Sequence, residues 1–264
     1  MDNKLTKAEL EGLASFRLTE KAYKSALSFS IKDLLIENRR MEIIAAAADL
    51  MQAPNKMVAA SILTKRLAFV PAIALYAFFS WDKRLNISVD NIYVETQNTE
   101  AVWLPEFRLI ETGCELVDHR ETEREMLCTS IFADLMDPIM SSLNEETRLS
   151  KYIMWENVSV YIFWLFEKLR QEESSVEGLQ KLKDDFEYVT ANAAGDVFGA
   201  YRDNPIKRYR LFKNTNENDH SDIRYRTTCC FSYMLTGSAG KRCKTCPQLC
   251  TLPKEEQTPL NVKG

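Results

Sequence analysis

The chain has 264 residues, enough to bury a sizeable core as one large domain or two small ones. Its formal net charge of −4 argues against a protein that is basic throughout and built to coat nucleic acid. The opening stretch MDNKLTKAELEGL scatters charges where a secretory signal needs an apolar core. The longest uncharged runs, Leu67 to Trp81 and Tyr152 to Phe166 (broken by Glu156 alone), fall short of the roughly 20 apolar residues of a membrane span. The expectation is a soluble, cytoplasmic protein, in a compartment that keeps thiols reduced.

Residues 6 to 81 read as mostly helical. Ile31 to Met51 places Leu34, Leu35, Met41, Ile44, Ala45 and Leu50 at helical spacing, and Gln52-Ala-Pro-Asn55 breaks that helix. A second apolar helix follows through SILTKRLAFVPAIALYAFFSW, with Pro71 predicted to kink or split it. The segments NISVDNIYVETQ and EAVWLPEFRLI, parted at Asn98 and Thr99, predict a β-hairpin over about 86–109. Helix returns from about Leu116 to Leu143, interrupted at Asp137-Pro138. The stretch KYIMWENVSVYIFWLFEKLR is apolar on nearly every side and predicts a helix buried in the core. SSVEGLQKLKDDFEYVTANAAGDVFGAY adds an amphipathic helix capped by Ser174 or Ser175. Helical period is lost from Asn204. Lys213 to Asp222 reads as a polar loop, and IRYRTTCCFSYML as a strand or extended segment.

That segment leads into a crowd of sulfurs. Five of the seven cysteines fall between Cys229 and Cys250, spaced C-C-x12-C-x2-C-x3-C: Cys229, Cys230, Cys243, Cys246 and Cys250. A two-residue spacer lets a tight turn aim Cys243 and Cys246 at one metal site. Cys229 and Cys230 are adjacent, and in extended chain their side chains point to opposite faces, so a local bend is needed to bring both to one ion. Residues alone leave open an iron–sulfur cluster, a zinc ion, and an unligated or disulfide-linked group. Around these cysteines, between Tyr201 and Cys250, basic residues outnumber acidic ones ten to four, a local field that attracts anions.

The motif R-x-T-C-C-x-x-Y followed by C-x-x-C-P, made here by Arg226, Thr228, Cys229, Cys230, Tyr233, Cys243, Cys246 and Pro247, resembles the C-terminal signature of the FhuF-type ferric siderophore reductases. The resemblance implies that Cys229, Cys230, Cys243 and Cys246 hold a [2Fe-2S] cluster. Two features depart from the family pattern. The spacer is twelve residues, an excess that Gly237-Ser-Ala-Gly240 can absorb as a loop, and Cys250 is a fifth sulfur, either a free thiol or an alternative ligand.

The predicted elements sum to an α+β fold class, predominantly α-helical, with one hairpin and a small non-helical C-terminal segment that the resemblance makes the iron–sulfur segment. Residues 1–222 form the helix-rich core, 223–250 the cluster segment and 251–264 a tail. The implied reaction is one-electron reduction of Fe(III) held in a siderophore, with electrons from a ferredoxin- or flavoprotein-like donor. The hydroxyls of Thr227, Thr228, Ser232 and Thr245 are candidates to hydrogen-bond the sulfurs. Lys207, Arg208, Arg210, Arg224 and Arg226 are candidates to attract an anionic chelate, and Trp81, Trp103, Trp155 and Trp164 to pack against one.

Other residues carry less. His119 and His220 are assigned to no site, Cys114 and Cys128 read as small buried residues, and the acidic run Glu111 to Glu125 as a solvated helix face. No phosphate-binding glycine loop or nucleophile elbow is present. The competing class is a zinc-stapled binding module whose basic segment contacts nucleic acid or an acidic partner. A catalytically silent siderophore-binding protein is a further rival.

Overall fold

The structure, a computed structural model, describes residues 4–97, 102–210 and 224–251. The hairpin turn at Asn98-Thr99, the polar loop with His220, the proposed boundary at 222/223 and the tail lie outside them.

The fold is predominantly helical with small sheets, the class the sequence implies. Helix α1 (Lys7–Ala14) starts at a capping box between Thr6 and Glu9. Ile31–Leu35 is a separate 3-10 turn, and α2 (Glu37–Met51) begins beyond it, so the long helix expected from Ile31 is broken at extended Ile36. Left-handed Gln52 ends α2 at the expected place. Asn55 Oδ1 accepts the Val58 N–H at 3.0 Å to cap α3 (Lys56–Leu67).

Helix α4 (Phe69–Trp81) follows α3 directly, and the pair divides at Ala68, as Pro71 foretold. Pro71 sits in the first turn of α4, where its missing N–H has the least to lose. Together Lys56–Trp81 make a 26-residue stretch that is long and apolar enough, by length and composition, to cross a membrane. That exceeds what uncharged runs alone suggested, because the apolar helical stretch continues across the charged pair Lys65 and Arg66 within α3. Most of its apolar window is buried within the protein, as in a core helix.

The expected hairpin is narrower than 86–109. Strand β3 (Ile92–Glu95) pairs antiparallel with β4 (Glu106–Leu109), Ile92 opposite Leu109. Strand β1 (Phe29–Ser30) adds to β3, and β2 (Lys83–Leu85) pairs with β5 (Cys114–Leu116) as a second small sheet.

Helix α5 (Arg120–Thr129) passes through a π-helical stretch, Ser130–Met136, into α6 (Asp137–Thr147). The interruption at Asp137-Pro138 is thus a change of helical winding, which accommodates the proline ring without ending the helix. The chain stays helical through Thr147, beyond the expected end near Leu143.

Helix α7 (Lys151–Glu172) is the central helix. It buries Met154, Trp155, Val158, Ile162, Leu165 and Leu169, as its all-round apolarity requires. Helix α8 (Val176–Glu187) is capped by Ser175, whose Oγ accepts the Gly178 N–H at 3.0 Å. It unwinds through a π turn at Tyr188–Asn192, well short of Tyr201.

Candidate functional site

The cysteine segment is laid against α3 and α7 by buried polar contacts. Among the described residues 224–251 contain no strand, only 3-10 turns at Ser232–Met234, Thr236–Ser238 and Pro247–Thr251, so the expected strand through IRYRTTCCFSYML is not formed. The physical reason is visible at Phe231, whose φ of 62° takes the chain into the left-handed region straight after the cysteine pair. A bulky side chain there costs about 1–2 kcal/mol. This is the bend that adjacent cysteines require. It turns the Phe231 N–H back onto Cys229 Sγ at 3.4 Å. Cys230 is buried, while Cys229 lies half-exposed.

The second pair is formed by a tight turn in which the Cys246 N–H donates to Cys243 O at 2.9 Å. The two arms are tied together by Arg226 N–H donating to Thr245 O at 2.9 Å. Between them the chain reverses through left-handed Ala239 and Gly240, with φ of 48° and 75°. Gly237-Ser-Ala-Gly240 thus lies in a turn between the two cysteine pairs.

The fold therefore brings Cys229, Cys230, Cys243 and Cys246 into one neighbourhood. The thiol of Cys243 hydrogen-bonds Cys230, which holds Cys230 well below the usual thiol range and pushes Cys243 up; Lys65 and Arg226 favour the Cys230 thiolate further. Cys229 is raised chiefly by burial and also feels Cys230 and Cys246. A thiol poised toward thiolate is the ligand form for soft metals. Arg242 donates to Cys246 and stacks 3.8 Å over the Tyr233 ring.

Among the described residues no three His, Cys, Asp or Glu side chains gather about a single point suited to one metal ion. The thiols approach one another pairwise, and sulfur donors in that number are the set that thiolate-held iron–sulfur clusters use. The donor chemistry fits the group. The side chain of Cys250 lies outside the description, and so does its role.

Of the four candidate hydroxyls, two reach sulfur. Ser232 Oγ is 3.3 Å from Cys230 Sγ, and Thr245 Oγ1 is 3.9 Å from Cys243 Sγ. Thr227 and Thr228 turn instead to Glu156, which in the sequence is only a break in an apolar run. Glu156 is 2 % exposed on α7. Its carboxylate accepts the N–H of Thr227 at 2.5 Å, the hydroxyl of Thr227 at 3.0 Å, the N–H of Thr228 at 2.7 Å and the hydroxyl of Thr228.

Arg226 is 6 % exposed and faces inward, contrary to its expected part in attracting a chelate. It donates to Asn157 Oδ1 at 2.6 Å and Thr228 O at 3.1 Å, with Glu156 at 3.6 Å. Asn157 in turn donates to Ser61 O at 2.9 Å, and Ser61 Oγ donates to Cys230 O at 3.0 Å. A lone acid amid α7's apolar residues was the available signal for this clamp.

The other cations stand apart from it. Lys207 and Arg208 are exposed, with Arg208 4.3 Å from the Tyr152 ring. Arg210 is paired with Glu187 at 2.6 and 3.0 Å. Arg224 lies over Phe163 at 3.7 Å. Trp103 and Trp155 are buried and Trp81 packs on the core, whereas Trp164 is 39 % exposed. Cys114 and Cys128 are buried, and burial pushes both thiols up.

No individual curated protein matches the chain. The profile of the family described as ferric iron reductase FhuF-like transporter matches residues 66–219, from the end of α3 past α8 and ending before Cys229. That is more than half of the sequence, and the chain belongs to the ferric iron reductase FhuF-like family.

Proposed function

We propose that the protein is a cytoplasmic ferric siderophore reductase in which Cys229, Cys230, Cys243 and Cys246 hold a [2Fe-2S] cluster. The observation that supports this reading is the pairwise approach of those four thiols within one neighbourhood, in a member of a ferric iron reductase family, on a segment clamped to α3 and α7. When bound, the cluster supplies one-electron transfer: an electron from a ferredoxin- or flavoprotein-like donor passes to chelated Fe(III), giving Fe(II). Siderophore oxygens are hard donors that hold Fe(II) far less well, so the metal is released.

The chain's own residues do the positioning. Phe231 N–H, Ser232, Thr245 and Arg242 place dipoles and one cation beside the sulfurs. Such contacts set the ease of reduction of a thiolate-held centre. Burial of Cys230 and Cys246 limits water on that side, while half-exposed Cys229 and Cys243 face the direction from which donor and chelate approach.

Iron, zinc and acid-labile sulfide are measured after anaerobic purification, followed by oxidation of the dithionite-reduced protein with ferric chelates. The expected result is a red-brown protein with sulfide equal to iron, reoxidised by a ferric siderophore. Zinc without sulfide overturns the reading.

A further inference from the structure

Two adjoining cavities, of about 290 and 540 Å³, share Phe163, Glu167 and Arg224 and so form one groove. One face of α7 floors it, through Glu156, Val160, Phe163, Glu167 and Arg170 at helical spacing. From Glu156 to Arg170 that stripe runs about 21 Å. Helix α8 supplies the opposite wall at the far end, through Leu182, Lys183 and Phe186. At the near end the wall is Tyr225, Arg226 and Thr245.

We propose that this groove seats the ferric chelate, and that the chelate it fits is anionic and built on aryl groups, as a ferric tris-catecholate is. This rests on the reductase reading for the fate of the iron. The placement follows from Thr245, which lines the groove and also lies beside Cys243 Sγ at 3.9 Å. One side chain separates a bound chelate from a candidate cluster ligand.

The chemistry follows from the lining. Phe163, Trp164, Phe166, Phe186 and Tyr225 offer rings for stacking, and Trp164 is the tryptophan that reaches solvent here. Arg170, Lys183, Arg210 and Arg224 bring positive charge. Against them stand Glu167 within the groove, Glu187 paired with Arg210, and Glu156, whose charge is met by Arg226 at the closed end. A ferric tris-catecholate carries net negative charge and flat rings, whereas a ferric tris-hydroxamate is neutral and aliphatic at its donors. Cavities of roughly 300–1,000 Å³ suit ligands of this size.

The test uses the redox-inert gallium(III) complexes of a synthetic tris-catecholate and a synthetic tris-hydroxamate, titrated calorimetrically into the full-length holoprotein. The tris-catecholate complex is expected to bind at least about fivefold more tightly than the tris-hydroxamate. Its affinity should fall as salt rises. Trp164→Ala and the double variant Arg170→Ala/Lys183→Ala should each weaken it at least about fivefold, with the visible spectrum unchanged. The double variant changes only exposed side chains and decides the matter if Trp164→Ala fails to fold. Unchanged affinity in the double variant, or equal binding of the two complexes, overturns the proposal. Because gallium accepts no electron, the titration reads the groove even in protein that lacks sulfide. Conversely, failure of the unsubstituted protein to bind the gallium tris-catecholate while it still reduces ferric chelates sinks the groove alone.

Discussion

Glu156 and Thr228 are joined twice over, the carboxylate accepting the backbone N–H at 2.7 Å and the side-chain hydroxyl beside it. Thr228 precedes Cys229, so the buried centre of α7 fixes where the first sulfur begins. Replacing Glu156 by Gln keeps the shape, removes the charge opposite buried Arg226 and turns an amide N–H₂ toward donors. The variant is expected to lose about 3 kcal/mol of stability. Urea unfolding should show the loss, and limited proteolysis should show earlier cleavage within 224–251.

The ligand assignment makes a sharp pair of expectations. Cys243→Ser should abolish the visible absorption of anaerobically purified protein, and Cys250→Ser should leave it intact. A coloured Cys243→Ser protein with an unaltered spectrum would show that the ligand set is wrong.

Lys65 reaches toward Cys230 and Cys243 from α3, and its cation favours negative charge on those sulfurs. A reduced centre carries one more negative charge than an oxidised one. Lys65→Met should therefore lower the midpoint potential, on the order of tens of millivolts. A redox titration followed by visible absorption reads the shift; an unchanged or higher potential contradicts it.

Gly240 has a φ of 75° with nothing near a built Cβ. Gly240→Ala is expected to cost about 1 kcal/mol through backbone strain alone. Ala239, exposed and left-handed at 48°, offers the reverse test. Ala239→Gly should be neutral or slightly stabilising in thermal melts.

Far from the sulfurs, Asp185 is 1 % exposed and accepts from Arg120 at 2.6 Å and Arg124 at 2.9 Å, fastening α8 to α5. Asp185→Asn is expected to lower stability by about 3 kcal/mol, measured by chemical denaturation, with the visible spectrum of the proposed cluster preserved in the folded fraction.

Sequence made the helices legible because apolar spacing and caps are local signals: Ser175, Gln52 and Pro71 each act where their chemistry says. It made the cysteine grouping legible for the same reason. The short strands β1, β2 and β5 carry too few residues to show an alternating pattern. The strand alternative for IRYRTTCCFSYML is not realised among the described residues 224–235, because Phe231 adopts a backbone conformation that its residue type disfavours. Arg226 was misread, and the role of Glu156 passed over, for one reason: charge in a sequence carries no record of burial, and here Thr227, Thr228 and Asn157 supply the partners that let both groups be buried.

The clamp through Asn157 and Ser61 has a thermodynamic corollary. A ligand that binds only the folded segment lends its binding free energy to everything rigidly attached to that segment. With Cys230 O held by α3 and Thr227–Thr228 held by α7, the cluster proposed above would, once bound, brace both helices against unfolding. On that proposal, the lifetime of the polypeptide and the supply of iron and sulfide would be tied together.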